Sequence, residues 1–315
     1  MNLLRFSLLF FSTLLLFSCS KNLNDDTVFT YNDKIVNIDD FEFFQTSTFD
    51  DFYFKGVITD SLYVINNFMA DDEGIILIEY GDSAYYNPVT IAQTAFKFLN
   101  SFTITHDSVY LDLAKLYAQK LIDISIEDSD AILFPYGFNF PLHRYYEVLE
   151  ADSYSGMSQG QALSLFSKLF ILTNDSVYFD HAQKTYNSFY LEINNNSDPW
   201  VAVVDSNNYL WIEEYPTLDP NYTLNGFLFA IVGVYDWCKI SPQNNNFDML
   251  SALVTTAKYN IERFRVVGDL SVYCLKHQVQ SSGYHRIHKE QIDWLYLVTN
   301  DEKFLELSTL FSIDN

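Results

Sequence analysis

The chain has 315 residues and carries 18 lysines and arginines against 41 aspartates and glutamates, for a formal net charge of −23. This acid surplus argues against nucleic acid as a partner, because phosphate binding needs clustered basic side chains. Three cysteines in a chain of this length exclude a disulfide scaffold. The length fits one large domain or two smaller ones.

The first residues are predicted to be an export signal. Arg5 supplies a positive charge, and residues 6–17 form an apolar segment that is too short to span a bilayer. Cys19 follows Leu-Phe-Ser, as in a bacterial lipobox. We therefore expect residues 1–19 to be a lipoprotein signal peptide, Cys19 to be lipidated, and residues 20–28 to form a polar tether. The protein would then be exported and held at the periplasmic face or cell surface by its lipid anchor; a plain secretory signal is the alternative.

Residues 29–84 are predicted to form a small β-rich segment. The stretches DFYFKGVITDSLYVI (51–65) and EGIILIEYGD (73–82) carry β-branched and aromatic residues in short runs that end at Gly or Asp. This composition is typical of strands. The rest of the chain, residues 85–315, shows a different pattern and is expected to form a helical domain.

The helical domain contains a repeat. THDSVYLDLAKLYAQKL (105–121) and TNDSVYFDHAQKTYNSF (173–189) are near copies, TNDEKFLELSTLF (299–311) is a third, and NNFDMLSALVTTA (245–257) is a weaker one. Each copy has helical apolar spacing. The Asp near its start is expected to be the N-cap, with its carboxylate accepting free N–H groups of the first turn.

Another helical run precedes each copy, so the repeat unit is a pair of helices. Ser158 and Gln161 have capping-box spacing at the start of the second run. Repeating pairs of this length predict stacked units that bury their faces on each other. The fold is thus expected to be mainly α, with about four helical hairpins that close into a ring or form an open arc. The expected hairpin starts are near Tyr86, Gln159, Asn225 and Tyr284.

Two further stretches stand out. Residues 132–154 contain two prolines and a glycine, which disfavour one continuous helix, and such long insertions often line sites. Residues 258–289 hold six of the basic residues and three of the six histidines, which indicates either a local anion site or a basic helix face.

Five segments, in order along the chain, resemble the C-terminal domain of the glucuronyl C5-epimerases, enzymes that convert glucuronate to iduronate in heparosan and heparan sulfate. The resemblance implies that the hairpins form an α/α barrel. The segments are YYNPVTIAQTAF (85–96), SYSGMSQGQALS (153–164), WIEEYPTLDPNYTLNGF (211–227), VYCLKH (272–277) and GYHRIHKEQIDWL (283–295).

The resemblance also implies site residues. The catalytic positions are Glu214, Tyr215, Tyr273 and Tyr284. The positions expected to contact substrate are Tyr86, Asn87, Arg144, Gln159, Gln161, Asn225, Lys276, His277 and His285. Two positions depart from the family pattern, since Lys276 stands in place of an Arg and Cys274 in place of an Asp. Lysine keeps the charge but loses the bidentate grip on a carboxylate.

The implied reaction removes the proton at C5, beside a carboxylate, and returns one on the other face. Such a site must neutralise the carboxylate and supply an acid or base on each face. A free Tyr has a pKa of about 10, so a nearby cation is expected to lower it. The candidates for that cation are Lys276, His277, His285 and Arg286.

Several alternatives stay open. A lyase begins with the same proton abstraction, and a glycan-binding lipoprotein would need no chemistry. Glu213 and Glu214 are also explained by a helix dipole, and the tyrosines by core packing. His285 and His288 are three residues apart, but they lack further ligands at metal-binding spacing, so we expect neither metal nor cofactor. Cys238 and Cys274 are either bridged or two buried thiols. The expected partner is a uronate-containing polysaccharide, and the oligomeric state stays open between monomer and homodimer.

Overall fold

The computed structural model describes residues 29–45, 58–59, 61–143, 147–194 and 199–314. The export signal, Cys19 and the tether lie outside these residues, and so does Arg144. Within the described ranges, no helix combines the length and the apolar character that a membrane crossing requires.

In the described residues of the N-terminal segment, which exclude 46–57 and 60, there are two short antiparallel hairpins and one helix. Strand β1 (Phe29–Tyr31) pairs with β2 (Lys34–Val36), and β3 (Ile78–Tyr80) pairs with β4 (Ser83–Tyr85). Between them lies helix α1 (Ser61–Asn67). The strand prediction is therefore wrong for the end of the 51–65 stretch. Val64 is buried while Leu62 is exposed. Residues two apart share a face in a strand but not in a helix, so this burial pattern fits the helix.

Four helical hairpins follow in the described residues between 86 and 314, and the prediction of about four is confirmed. Their starts lie within three residues of the predicted ones. The hairpins are α2 (Pro88–Thr105) with α3 (Ser108–Ile124), α4 (Gly156–Thr173) with α5 (Ser176–Asn187), α6 (Leu224–Ile240) with α7 (Asn244–Asn260), and α8 (Ser282–Thr299) with α9 (Glu302–Ile313). The first helix of each pair is the inner one, and together the hairpins form an α/α toroid.

Short strand pairs join the hairpins. The described residues of the 132–154 stretch, 132–143 and 147–154, contain no helix, as expected for a stretch that is not one continuous helix. The pairs are β5 (Ile126–Asp128) with β6 (Ala131–Leu133), β7 (Phe140–Leu142) with β8 (Glu147–Leu149), and β9 (Ala202–Val204) with β10 (Leu210–Ile212).

Three of the four predicted Asp caps are confirmed. The carboxylates of Asp107, Asp175 and Asp301 accept the N–H groups two residues further on, at the starts of α3, α5 and α9. The weaker repeat copy differs, because α7 begins after Gln243 without a side-chain cap. The predicted capping box is also displaced. Helix α4 is capped by Ser155, and Ser158 already lies inside the helix.

Glycines allow the backbones of α4 and α6 to approach closely. A Cβ added to Gly160 would lie 2.5 Å from the Cα of Ala230, and one added to Gly233 would lie 2.3 Å from the carbonyl oxygen of Gly160. Both distances are far below normal contact. Helices α4 and α6 consequently form the tightest interface of the toroid, with α2 packed on the other side of α4 and α8 packed against α6.

The α4–α6 interface also encloses an ion-pair cluster. Asp236, which is 1% exposed, lies 2.9 Å from Lys168 Nζ and 2.8 Å from Lys239 Nζ. Ser164 Oγ donates a 2.5 Å hydrogen bond to the same carboxylate. Burial opposes ionisation, but the two ammonium groups prevail and lower the pKa of Asp236 below its ordinary value.

The inner helices all begin at one cavity. Asn87, Met157, Asn225 and Tyr284 lie at or next to the first turns of α2, α4, α6 and α8, and all four line it. A helix N-terminus carries free N–H groups and a partial positive charge. The toroid thus directs four positive helix ends toward the same space.

Candidate functional site

The cavity has a volume of about 380 Å³, within the usual range for small-molecule sites. Its polar lining includes Glu214, Tyr215, Asn225 and Tyr284. The rest of the wall comes from the inner helices and the residues just before them, both polar and apolar, and from Tyr136 and Phe140. Within the described part of the chain, no lysine or arginine lines this cavity.

The segment that carries Glu214 leaves strand β10 and is fixed by its neighbour Glu213. The buried carboxylate of Glu213 accepts the backbone N–H groups of Asn221, at 3.0 Å, and Tyr222, at 3.1 Å. These bonds close the loop of residues 213–222. Burial nevertheless raises the pKa of Glu213 to about 8. Glu213 is therefore a structural residue whose carboxylate faces the loop backbone.

Gly226 allows Glu214 to pack against the first turn of α6. A Cβ on Gly226 would lie 2.3 Å from Glu214 Oε2 and 2.5 Å from its Cβ. No other residue fits this position without displacing the carboxylate. The Asn-Gly pair that precedes the apolar run of α6 is explained by this contact.

Glu214 and two tyrosines form a hydrogen-bonded chain. Tyr273 Oη donates to Glu214 Oε1 over 2.9 Å, and the hydroxyls of Tyr215 and Tyr273 are 3.1 Å apart. The ring of Tyr284 lies against that of Tyr273, with centroids 4.2 Å apart. The four residues that the resemblance implied to be catalytic thus lie together. Glu214, Tyr215 and Tyr284 line the cavity, and Tyr273 contacts all three.

Burial dominates the protonation of these groups. It raises the pKa of Glu214 to about 7, against a partial offset from the hydroxyls of Tyr215 and Tyr273. The pKa values of Tyr215 and Tyr273 are raised well above 10, first by burial and then by the nearby Glu214 charge. The expectation of a tyrosine with a lowered pKa does not fit this arrangement.

The expected cations do not reach the tyrosines. Lys276 Nζ lies 3.2 Å from Glu147 Oε2 and 3.3 Å from Asp219 Oδ2. The Arg286 side chain is 74% exposed and lies 3.9 Å from Glu290. Both charges are therefore directed to carboxylates away from the cavity.

The remaining basic residues of the 258–289 stretch are also dispersed. Lys258 pairs with Asp39 at 2.7 Å and with Asp301 at 2.9 Å. Arg265 pairs with Asp314 at 3.0 Å. These cations join distant parts of the chain and do not assemble one local anion site.

Two of the residues expected to contact substrate line the cavity, namely Asn87 and Asn225. Asn225 is 1% exposed and its Oδ1 has no hydrogen-bond partner among the described residues. Its Nδ2 contacts only the sulfur of Met157, at 3.9 Å. A buried amide without strong partners is costly unless a ligand completes its hydrogen bonds.

Gln159 has a structural role instead. Its Oε1 accepts the Phe134 N–H at 3.1 Å, and its Nε2 donates at 2.8 Å to Ile132 O and to Ser188 Oγ. The amide is fully used in holding strand β6 against α4. Gln161 is also buried, and its amide has no partner among the described residues, but it does not line the cavity.

Tyr86 and His285 are likewise turned to protein partners. The Tyr86 hydroxyl donates to Asp71 over 2.6 Å. His285 accepts the Ser271 N–H at Nδ1, over 2.9 Å, and its Nε2 lies 3.0 Å from Phe311 O. Neither residue lines the cavity. We therefore no longer expect them to bind substrate.

The insertion between the first two hairpins supplies residues that the sequence analysis did not name. Tyr136 and Phe140 line the cavity. The ring of Phe140 stacks on that of Tyr215, with centroids 5.4 Å apart and 21° between the planes. The aromatic residues at 134, 136, 138 and 140 alternate with other residues. This period of two was the available signal for an extended segment with one aromatic face.

Both remaining cysteines are free. Cys238 and Cys274 are buried thiols that form no disulfide. Cys274 lies beside His277, whose Nδ1 is 3.5 Å from its sulfur. Burial and the Lys276 charge lower the pKa of His277. Neither Cys274 nor His277 lines the cavity.

Comparisons with known proteins agree on the family. The family model of the D-glucuronyl C5-epimerase C-terminus matches residues 127–312. A D-glucuronyl C5-epimerase from Caenorhabditis elegans is 28% identical over 174 residues, which is 49% of this chain and 27% of that protein. The uncharacterized protein MJ1128 from Methanocaldococcus jannaschii is 27% identical over 56% of this chain and 55% of its own length. The chain thus spans about a quarter and about half of these two relatives.

A solved structure supports the fold. Cellobiose 2-epimerase from Bacillus thermoamylovorans superimposes with a TM-score of 0.51, covers 75% of this chain and 62% of its own, and is 9% identical. At this level of identity the likeness concerns the α/α toroid alone.

Proposed function

This chain belongs to the family of the D-glucuronyl C5-epimerase C-terminus, and on that premise we propose that it inverts C5 of glucuronate residues in a polysaccharide. The observation that supports this most strongly is the hydrogen-bonded chain of Tyr215, Tyr273 and Glu214 beside a cavity. The reaction needs a base on one face of the sugar ring and an acid on the other.

The base is a relay that ends at Glu214. With its pKa raised to about 7, Glu214 is partly ionised at neutral pH and partly able to hold a proton. As Tyr215 takes the C5 proton, its hydroxyl proton passes to Tyr273, and the Tyr273 proton passes to Glu214. Contacts of 3.1 Å and 2.9 Å suit each transfer. No tyrosinate forms on this face before the proton is taken, which is consistent with the raised pKa values of Tyr215 and Tyr273.

Tyr284 serves the other face. It lines the cavity, is 37% exposed, and has a raised pKa because of burial and the Glu214 charge. A protonated phenol at the cavity wall can donate its proton to the carbanion, which is a much stronger base than a phenolate. The Tyr284 phenolate that remains takes up a proton from water at its exposed edge, and Glu214 releases the relayed proton, which restores the site. In the reverse direction the two sides exchange roles.

Helix ends neutralise the uronate carboxylate in place of a side-chain cation. The N-termini of α2, α4, α6 and α8 all border the cavity, and N–H groups at helix starts stabilise anions. The side-chain Nδ2 of Asn225, whose contact in the described residues is with the Met157 sulfur at 3.9 Å, adds a donor. Because sulfates would need cations that the described lining lacks, we expect a glycan with unsulfated glucuronate.

The experiment is hydrogen exchange at C5. Incubation of heparosan with the protein in D2O should place deuterium at C5 of glucuronate, measured by NMR and mass spectrometry. Tyr284→Phe should reduce exchange while glycan retention persists, because the ring remains. An unsaturated uronate absorbing in the near ultraviolet would identify a lyase instead. Retention without exchange across several glucuronate glycans would show a binding protein.

We further propose that the protein is exported and anchored through a lipid on Cys19. The short apolar segment followed by Leu-Phe-Ser-Cys supports this. Mass spectrometry of the membrane fraction should find an acylated Cys19 as the first residue. A mature chain that starts elsewhere, or an unmodified Cys19, would contradict it.

A further inference from the structure

Three metal-ligating side chains converge beside Tyr273. His143 lies in the turn after β7, and Cys274 and His277 lie in the loop of residues 272–280. A ring nitrogen of each histidine and the sulfur of Cys274 all lie within 4.8 Å of one another. His143 precedes Cys274 by 131 positions in the chain, and His277 follows Cys274 by three. Only the fold brings them together.

The loop holds Cys274 and His277 in a ligand-like arrangement. The residues have Cys-x-x-His spacing, and the backbone N–H of His277 donates to Cys274 Sγ over 3.3 Å. The sulfur lies 3.5 Å from His277 Nδ1. In a tetrahedral zinc site with Zn–S of about 2.3 Å and Zn–N of about 2.0 Å, sulfur and nitrogen are about 3.5 Å apart. These two ligand atoms already have the required separation.

The second nitrogen of His277 faces a carboxylate. His277 Nε2 lies 3.8 Å from Glu147 Oε2. Histidines that bind a metal through one ring nitrogen usually direct the other to a carboxylate or carbonyl, which fixes the ring and its tautomer. Glu147 therefore occupies the place of an outer partner.

His143 provides independent evidence for a missing partner. Its Nε2 is buried and has no hydrogen-bond partner among the described residues. Its ring centroid lies 4.8 Å from that of His277 and 5.0 Å from that of Tyr273. A buried imidazole nitrogen without a partner is unfavourable unless a ligand satisfies it.

We propose that His143, Cys274 and His277 bind one zinc ion, with the fourth coordination position open. One thiolate and two imidazoles suit zinc and disfavour calcium and magnesium, which prefer oxygen ligands. The ion would join the β7–β8 hairpin to the loop that carries Tyr273. This site goes beyond the proposed epimerisation, because zinc binding and C5 exchange are measured separately.

Zinc titration of the chelator-treated protein tests the proposal. Calorimetry should give one equivalent of Zn²⁺, and neither Ca²⁺ nor Mg²⁺ should compete. Co²⁺ should give a thiolate-to-cobalt charge-transfer band in the near ultraviolet. Cys274→Ser should remove that band and weaken Zn²⁺ binding at least about tenfold. The matched control is Cys238→Ser, which alters the other buried thiol and should bind as the wild type does.

A second variant covers the case in which Cys274→Ser fails to fold. His143→Asn lies in a hairpin turn and should also weaken Zn²⁺ binding while circular dichroism stays unchanged. Zn²⁺ should raise the melting temperature of the wild type and not that of His143→Asn. The proposal is overturned if the wild type binds no Zn²⁺ at equimolar concentration, or if either His143→Asn or a folded Cys274→Ser binds as tightly as the wild type.

Discussion

Two buried carboxylates lie at opposite ends of α6 and differ in their surroundings. Asp236, near the C-terminal end, is 1% exposed and contacts two ammonium groups within 3 Å. Glu214, against the first turn, is 3% exposed and contacts a tyrosine hydroxyl but no cation among the described residues. Their pKa values are displaced in opposite directions, down for Asp236 and up to about 7 for Glu214.

The difference shows that burial alone does not decide how a carboxylate behaves. Burial penalises the ionised form in both places. At the α4–α6 interface, the ammonium groups of Lys168 and Lys239 outweigh the desolvation cost of ionising Asp236, so this carboxylate stays charged within the packed interface. At the cavity the penalty stands, so the carboxylate gains and loses a proton near neutral pH. That property suits an acid–base group.

The same chemical change at both carboxylates should separate function from stability, and the largest effect is expected at Glu214. Glu214→Gln keeps the shape but removes the group that accepts the relayed proton. We expect C5 exchange to fall by roughly 10²- to 10⁴-fold, with a urea midpoint of unfolding no lower than that of the wild type. Exchange would be followed by NMR in D2O. A variant that retains more than half the wild-type rate would exclude Glu214 from the relay.

Asp236→Asn should have the converse result. It leaves Lys168 buried without its counter-charge, which typically costs about 3–5 kcal/mol of the free energy of unfolding. Urea denaturation monitored by circular dichroism measures this loss. Exchange per folded molecule should stay near that of the wild type, since Asp236 does not line the cavity. Equal stability of Asp236→Asn and wild type would mean that the ion-pair cluster adds nothing to the fold.

The third prediction concerns pH. Glu213 and Glu214 have folded-state pKa values of about 8 and about 7, above an unfolded value of about 4.3. The folded state therefore binds more protons between these values, and stability falls as pH rises from about 4.5 to 8. The share of Glu214 is roughly 4 kcal/mol, at about 1.4 kcal/mol for each pH unit between its unfolded and folded pKa values.

In Glu214→Gln, the free energy of unfolding should depend less on pH than in the wild type, and the difference should be confined to pH values up to about 7. The rate of C5 exchange should have the opposite pH dependence to stability. It should rise with pH up to about 7, because Glu214 must be ionised to accept the relayed proton. Stability would be measured by urea denaturation at several pH values, and exchange by initial rates. A stability curve that rises between pH 5 and 8 in the wild type would contradict the raised pKa values.

Much of the fold was predictable because hairpins leave local signals. The repeat and its Asp caps located α3, α5 and α9, and apolar spacing located their partners. The weaker copy gave a wrong cap prediction for α7. Asp248 lies inside this helix, and the N-terminus of α7 has no side-chain cap. Strand composition misled at α1, because β propensity is decided by the packing surface rather than by residue type alone.

The site was predictable in part. Glu214, Tyr215, Tyr273 and Tyr284 were proposed through the family resemblance, and the structure brings them together. The sequence could not predict where four other side chains point, because each contacts a polar partner from a distant part of the chain. These side chains are Gln159, Tyr86, His285 and Lys276. His143 and Cys274 are 131 positions apart, and no local pattern indicates that they meet.

Exposed carboxylates complete the comparison, with the smallest expected effect. Asp175 caps α5 through a 3.0 Å hydrogen bond from the Val177 N–H and lies at the surface. Asp175→Ala removes an acceptor for a free N–H group, which typically costs about 1 kcal/mol. The matched control is Asp180→Ala, an exposed Asp in the same helix that is not its cap, with an expected change within about 0.5 kcal/mol. Urea denaturation of both variants measures the difference. An equal loss of unfolding free energy in both variants would contradict the cap. It would mean that these surface carboxylates stabilise α5 through their charge, as Asp236 stabilises the α4–α6 interface.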